Sequence, residues 1–177
     1  MRRLLALAAA FALLPAASAA ASPSACQSSH VTPTAESVRQ VEQTVLCLVN
    51  AERTQRGLRR LAQDDRLDTA AARHSTDMVR RDFFSHDAPN GSSPTERIRN
   101  AGYLKGARGW STGENIAWGT GSLATPQSIV RGWMRSAGHK RNILHRSFDA
   151  IGVGVALGAP SQGDAGATYT TTFGSRS

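Results

Sequence analysis

Lysine is almost missing from this sequence: of its 21 basic side chains only Lys105 and Lys140 are lysines, and arginine carries the net charge of +8. The arginines are spread along the chain and never form a block of like charges. Aromatic residues are also few, at 6%, and no basic run is interleaved with them. Because nucleic-acid binders show such runs or a recognition motif, we expect no nucleic-acid partner. A basic surface instead favours an anionic envelope polymer or lipid headgroups.

Long hydrophobic runs are absent except at the N-terminus. Leu4–Leu14 carries no charge, follows Arg2 and Arg3, and is succeeded by the small-x-small triplet Ala17–Ala19. About 20 apolar residues are needed to cross a bilayer, so this run is too short for an anchor and is typical of a cleavable signal peptide, residues 1–19. The sequence therefore predicts a secreted, extracellular protein with no transmembrane segment after cleavage. Without the two arginines of the leader, 19 basic and 13 acidic residues remain, a net charge of +6.

Cysteine is limited to Cys26 and Cys47. In an oxidising compartment an even pair is usually a disulfide, and a bridged pair excludes a papain-like nucleophile. Apolar residues recur at helical spacing over Val38–Leu48, and at 100° per residue Cys47 lies on the opposite face of that helix. We therefore predict a structural bridge that ties an irregular N-terminal arm, residues 20–35, across the first helix.

The remaining residues, 36–177, are predicted to form one α+β domain. The C-terminal part alternates apolar residues with small ones over 151–158 and again over 167–173, which is typical of an antiparallel hairpin. Glycines on one face of the first of these strands indicate a close-packed neighbour, most simply a helix. Helical periodicity, capping residues and a short apolar run predict four helices and one further strand: helices over 36–56, 64–81, 93–102 and 125–138, and a strand over 115–118.

Zinc-helix, nucleophile-elbow and phosphate-loop signatures are absent, so any chemistry falls to histidines and isolated carboxylates. His74 lies in the apolar stripe of the second helix, where a hydrogen-bonded core histidine is the simplest interpretation. His86 and His139 follow helix-like segments in turns, where a side chain can project into a cleft. Glu114 enters a short apolar strand. Two imidazoles and a carboxylate fit either an open zinc site or a hydrogen-bonded cluster without metal, and spacing alone does not show that they converge.

Four ordered motifs resemble the CAP superfamily, which comprises the cysteine-rich secretory proteins, antigen 5 and pathogenesis-related proteins. They are Phe83–His86, Gly113–Ala117, Trp133–Leu144 and Ile151–Val155. The resemblance extends over residues 45–174 and is greatest to the bacterial branch, whose members are called SCP-domain proteins.

The resemblance implies a three-layer α-β-α sandwich with a small antiparallel sheet. It also implies a cleft lined by a His-Glu-Glu-His tetrad, in which the histidines can hold Zn²⁺ or another divalent cation. By position, His86 and His139 are the histidines and metal ligands, and Glu114 is the first glutamate. Ser136 stands where the second glutamate is expected. A serine hydroxyl is no base near neutral pH, so any acid–base role would fall to Glu114.

Three functions are compatible with these residues. The leading one is a secreted binding domain whose cleft holds a divalent metal and takes an extracellular or envelope ligand: an anionic polymer, a lipid or a protein. The second is a metal-dependent hydrolase of peptidase or esterase type, with His86, His139 and Glu114 as catalytic residues. The third is a structural polar cluster in an interaction scaffold. A binding role is favoured over an enzyme because members of this family share a fold far more than an activity.

Overall fold

The computed structural model describes residues 26–160 and 166–177. The predicted signal peptide and residues 20–25 of the arm lie outside the described residues. The described residues form five helices and four strands, with a 3-10 turn at Gly121–Ala124 between β2 and α4. In chain order the elements are α1 Val38–Thr54, β1 Ala62–Gln63, α2 Asp65–Arg80, α3 Pro94–Asn100, β2 Trp110–Gly119, α4 Pro126–Arg135, α5 Ala137–Ile143, β3 Ala150–Leu157 and β4 Ala167–Arg176. Among the described residues, no helix combines the length and the apolar character that crossing a membrane requires.

Capping residues fix where the helices start. The Asp64 side chain accepts the amide of Arg66 at the first turn of α2. Ser93 and Glu96 form a complete capping box at the start of α3, with proline at the first helical position. These bonds satisfy amides that a helix leaves without a partner at its N-terminus. As a result α3 begins at a defined residue beside the candidate site.

The sheet has the strand order β1-β3-β4-β2. The pairs β3–β4 and β4–β2 are antiparallel, so the predicted C-terminal hairpin is confirmed. The short apolar run predicted over 115–118 is part of a longer strand, Trp110–Gly119, which pairs with β4 along its whole length. The small antiparallel sheet also carries β1 at its edge, which adds two residues parallel to β3. The polar strand β1 is too short to give an alternating pattern.

The sheet separates two helical layers. Gly152 and Gly154 face α2, and a Cβ at Gly154 would overlap main-chain atoms of Ala71 and Ala72, which confirms the predicted close approach of a helix. The alternate residues of β3 face the opposite layer, where α1, α4 and α5 bury their apolar stripes with the inner face of β4. The result is the expected α-β-α sandwich.

The predicted helix over 125–138 is two helices. α4 ends at Arg135, because Ser136 is extended (φ −94°, ψ 123°) and is both the C-cap of α4 and the N-cap of α5. His139, which the sequence predicted to lie in a turn, therefore lies inside α5. This correction matters for the site, since α5 is joined to β2 through the carbonyl of His139 and the side chain of Asn142.

The predicted bridge is confirmed: Cys26 and Cys47 form a disulfide with a Cα–Cα distance of 5.8 Å. The arm is also held by hydrogen bonds, from the hydroxyl of Thr44 to the carbonyl of Gln27 (2.8 Å) and from the amide of Gln127 to the carbonyl of Ser29 (2.9 Å). The arm therefore crosses α1 and reaches the start of α4.

Replacing both cysteines by serine should lower the free energy of unfolding by about 3 kcal/mol, since a bridge closing a loop of this length restricts the unfolded chain by that amount. Urea unfolding of the variant and of the oxidised wild type would measure it. Coincident midpoints would contradict a structural role for the bridge, and the reduced wild type serves as a control for the substitution itself.

Carboxylates cover the part of β3 that β1 leaves open. Glu42 accepts the amide of Val155 (3.2 Å), and Asp68 accepts the amide of Val153 (2.8 Å). Burial raises the pKa of both carboxyl groups, because desolvation disfavours their charged forms.

A pH-dependent contribution to stability follows from the pKa of Glu42. Because the folded-state pKa is raised, the folded protein keeps the proton of Glu42 up to a higher pH than the unfolded chain does. The stabilisation that results is complete below the unfolded-state pKa and is lost as pH rises through the folded-state pKa. Glu42→Gln should therefore be more stable, relative to wild type, at pH 7 than at pH 4. Melting temperatures at the two pH values measure this, with Glu52→Gln on the same helix as control. An unchanged difference would contradict it.

Candidate functional site

The candidate site is centred on Glu114, whose side chain is 1% exposed although it carries a carboxylate. Glu114 belongs to β2, and its side chain contacts the loop that precedes α3. One oxygen, Oε1, lies 2.9 Å from Nδ1 of His86 in that loop. A proton on Nδ1 donates to the carboxylate, and Nε2 then keeps its lone pair. The His86 ring is half exposed, so its free nitrogen is open to solvent or a ligand.

The second oxygen of Glu114 is paired with Arg97 of α3. Nη2 of Arg97 lies 2.8 Å from Oε2, and the same nitrogen donates to the carbonyl of His86 (2.7 Å). Nη1 donates to the carbonyl of Ser92 (2.7 Å). One guanidinium thus compensates the buried carboxylate and fixes the loop that carries His86. Both oxygens of Glu114 are therefore engaged.

His74 of α2 lies beneath this pair. Its ring is fully buried, and Nε2 donates to the carbonyl of Ser85 (3.0 Å) and lies 3.8 Å from Oε1 of Glu114. Burial lowers the pKa of His74, a shift that the nearby Glu114 charge opposes. The prediction of a hydrogen-bonded core histidine is therefore confirmed, and its place behind Ser85 shows that it supports the neighbouring His86.

His139 approaches the cluster from the other side. Asn115 donates to the His139 carbonyl (3.1 Å), and Asn142 donates to the Glu114 carbonyl (3.0 Å) and to the side-chain oxygen of Asn115 (2.9 Å). Burial lowers the pKa of His139, and the charge of the nearby His86 lowers it further. The two asparagines thus join α5, which carries His139, to the strand that carries Glu114.

An apolar groove of about 440 Å³ begins at His139 and Ser136. The floor includes Trp133, which donates from Nε1 to the carbonyl of Ile116 (3.1 Å) on the outer edge of β2. Three large apolar side chains of the lining are solvent-exposed: Phe84, Trp118 and Leu123. The other lining residues are small or aliphatic: Ile116, Ala117, Ser128, Ile129 and Gly132.

Comparison with known proteins shows the family of the chain. The cysteine-rich secretory protein family, CAP, matches residues 46–173. The chain belongs to the CAP family. Among curated proteins it is 36% identical over 137 residues to YkwD of Bacillus subtilis, covering 77% of this chain and 51% of YkwD. It is 32% identical over 114 residues to the membrane protein YlbC of the same organism, covering 64% of this chain and 31% of YlbC.

Solved structures carry the same CAP fold. An extracellular SCP-domain protein from Bacillus anthracis superposes with a TM-score of 0.64 at 30% identity, over 80% of this chain and 43% of that protein. An outer surface protein from Borrelia burgdorferi superposes with a TM-score of 0.62 at 21% identity, over 76% and 92% of the two chains, and supports the fold alone. The chain thus spans about half or less of the length of YkwD, YlbC and the B. anthracis protein.

The donor groups of the CAP site decide which kind of metal site it can form. Catalytic zinc sites use three protein ligands and structural sites four. Among residues 26–160 and 166–177, no group of three or more histidine, cysteine or acidic side chains is placed to hold a metal ion. Glu114 is buried with both oxygens bonded. The imidazoles of His86 and His139 then supply two donors, one fewer than a catalytic zinc site uses.

The CAP site contains residues that the sequence analysis did not single out. Arg97 lies one turn inside α3, and the capping box alone explains the sequence of that helix. Nothing in the local pattern therefore indicated that Arg97 pairs with Glu114, 17 residues away. The Gly132 face of α4 and the exposed Trp118 belong to the groove, which depends on how three elements converge. An exposed apolar residue in each of three separate segments was the only available signal.

Proposed function

We propose that this CAP domain is an exported binding protein whose site takes an amphipathic ligand, with the apolar part in the groove and the polar part at His139, Ser136 and His86. The observation that carries the proposal is that one groove is lined both by apolar side chains and by Ser136 and His139, and that α5 is hydrogen-bonded to the strand that carries Glu114. The volume of the groove lies within the range of about 300–1,000 Å³ typical of small-molecule sites, and such sites combine an apolar lining with a few polar groups.

The polar end of the site suits the headgroup of a lipid. His86 has a free ring nitrogen that is open to solvent, and Ser136 makes no capping hydrogen bond with its hydroxyl although it precedes α5. The main-chain amides at the start of α5 are close to the same serine. The Ser136 hydroxyl can donate to an oxygen of a headgroup, and the free nitrogen of His86 can accept from a hydroxyl, so these groups favour a hydrogen-bonding headgroup attached to an apolar chain.

Glu114 in this proposal is a positioning residue. It fixes the tautomer and orientation of His86, as a carboxylate commonly does for a ligand-binding histidine. The alternative, metal-assisted hydrolysis with Glu114 as base, would need that carboxylate to reach a bound water, and its burial and two hydrogen bonds oppose this. Binding is therefore the function that the geometry supports best.

Export rests on the leader sequence of residues 1–19, on the disulfide and on relatives, one of which is described as extracellular. The disulfide supports an oxidising compartment. When the full sequence is expressed, we expect the processed chain to be released into the culture medium with its N-terminus directly after Ala19.

The groove can be blocked without disturbing the fold. Gly132 lies on the exposed face of α4, and a Cβ at that position would meet no atom within 4 Å. Gly132→Trp should fill the groove and weaken the binding of a fluorescent fatty acid by tenfold or more. The matched control Gly132→Ala should bind as wild type does and gain about 1 kcal/mol of stability, because alanine favours a helix over glycine.

Two results would overturn lipid binding at this site. One is the absence of saturable fatty-acid binding by the wild type. The other is equal affinity of the wild type and of a folded Gly132→Trp variant, which would place any bound lipid elsewhere. An unchanged melting temperature for the tryptophan variant establishes that it is folded.

We also propose that His86 and His139 together bind a divalent cation with two protein ligands, so that affinity is modest and other positions remain for ligand atoms. Zinc titration followed by calorimetry should show one site that is lost in both His86→Ala and His139→Ala. His30→Ala, which changes an exposed arm residue, should leave it intact. Unaltered zinc affinity in either site variant would contradict this assignment.

A further inference from the structure

A second surface lies at the opposite end of β2 from the groove. Trp110 opens the strand, and 48% of its surface is exposed. It stands directly opposite Arg176 of β4. A shallow cleft of about 330 Å³ is lined by these two residues together with small ones: Gly109, Ser111, Ser175 and Ser177. Since an extended strand rises about 3.3 Å per residue, this cleft lies roughly 25 Å from the groove.

Two arginines lie beside Trp110, one against its ring and one opposite it on β4. The guanidinium of Arg99 lies 5.9 Å from the centre of the indole ring. Arg108 is adjacent, since its amide donates to the carbonyl of Ser177 (2.7 Å) in the wall of the cleft. Within the described part of the chain, the ion pairs do not include Arg99, Arg108 or Arg176. Arg176 is already bonded to Tyr103, since its Nη1 donates to the Tyr103 carbonyl (3.1 Å) and its guanidinium lies 5.2 Å from the centre of the Tyr103 ring. Both Arg99 and Arg176 nevertheless carry their positive charge beside the exposed indole.

Three carboxylates lie near Tyr103 or Arg99: Asp64, Glu96 and Asp149. Asp64 pairs with Arg66 through two hydrogen bonds, of 3.0 and 2.5 Å. Glu96 accepts both the amide (2.8 Å) and the hydroxyl (2.9 Å) of Ser93 in the capping box of α3. The side chains that line the cleft include no carboxylate. A ligand in the cleft would therefore contact the Arg176 guanidinium and no side-chain carboxylate, which favours a ligand that carries negative charge.

We propose that the Trp110 cleft binds an acidic glycan: a chain of sugar or polyol units that carries carboxylate or phosphate groups. A guanidinium forms paired hydrogen bonds with either group, and an exposed indole face offers a flat apolar surface on which the C–H face of a sugar ring can stack. The hydroxyls of Ser111 and Ser175 match the hydroxyls of such a chain. An exposed indole beside serines fits a sugar better than a protein ion-pair partner.

This site is separate from the His86 site and does not depend on the proposed lipid binding. A glycan bound at Trp110 leaves the groove open at the other end of the strand. The fold would thus hold the domain on an anionic polymer while the groove takes its own ligand.

The test is fluorescence anisotropy of two labelled probes, an oligogalacturonate for carboxylates and an oligomeric glycerol phosphate for phosphates, titrated with the full exported chain. At least one probe should bind, and the affinity should fall as salt is raised because the charges are solvent-exposed. Trp110→Ala should weaken binding by tenfold or more. Ser111→Asp, which places a negative charge in the cleft, should weaken it comparably without removing any aromatic packing.

Charge-matched variants separate a site from a general basic surface. Arg99→Gln with Arg108→Gln removes two charges at the cleft, and Arg131→Gln with Arg146→Gln removes two exposed charges elsewhere. The first pair should lose tenfold or more in affinity, and the second less than threefold.

The proposal is overturned by any of four results. Equal losses in the two pairs would show binding by net charge alone. Equal binding of a neutral dextran would show that the anionic groups are not recognised. Absence of binding to both acidic probes at low salt would show that the cleft takes no such glycan, and stronger binding of single-stranded DNA than of either probe would assign it to a different polyanion.

Discussion

Replacing Arg97 by methionine is expected to lower the free energy of unfolding by about 3–5 kcal/mol, because it leaves the buried Glu114 carboxylate without its cation. The Arg97 side chain is 11% exposed and that of Glu114 is 1% exposed, so water does little to replace the lost partner. The carbonyls of Ser92 and His86 lose donors in the same variant. The loop that carries His86 should therefore loosen together with the loss of stability.

A double-mutant cycle measures the pair itself. Glu114→Gln removes the negative charge while keeping the shape of the side chain, so Arg97→Met combined with Glu114→Gln should be clearly more stable than Arg97→Met alone. Urea unfolding of the four proteins gives the coupling free energy. Strictly additive effects would contradict the view that Arg97 and Glu114 form one buried unit.

Replacing Gly154 by alanine is expected to cost about 3 kcal/mol, the upper end of the usual range for overpacking, because the obstacle is main chain and not a flexible side chain. The added methyl group would overlap the backbone of α2 at Ala71 and Ala72, which can yield only if the helix moves off the sheet. The displacement would pass to His74, which lies in the next turn of α2 beneath the site.

The matched control is Gly132→Ala, the same chemical change at a position where nothing lies within 4 Å. Thermal unfolding should show a fall of several degrees for Gly154→Ala and a rise for Gly132→Ala. A Gly154→Ala variant as stable as wild type would contradict the close packing of α2 against β3.

The sequence determined the fold to a large extent because its patterns are local. The alternation of β3 with Gly152 and Gly154 already indicated a helix in contact with the sheet, and the position of Cys47 opposite the apolar stripe already indicated a bridge to the arm. The break between α4 and α5 was not predictable in this way. Ser136 interrupts a continuous helical periodicity, and its extended backbone (ψ 123°) follows from packing that the local sequence does not encode.

The site was predicted in its members but not in its arrangement. His86, His139 and Glu114 were identified through the CAP motifs, whereas their roles depend on contacts between distant segments. Arg97 reaches Glu114 from another element, and it is this contact that makes the glutamate a buried positioning group. The metal expectation for His86 and His139 remains a proposal, with two imidazoles as its donor set.

The most direct test of the central account is a single NMR titration of the exported domain with dodecanoate, following the imidazole signals of His86 and His139 and the methyl signals of Ile116 and Ile129. If the groove and the histidine cluster form one site, both sets of signals should shift with the same dissociation constant. Methyl shifts without imidazole shifts, or two different constants, would contradict the proposal that an amphipathic ligand spans the two.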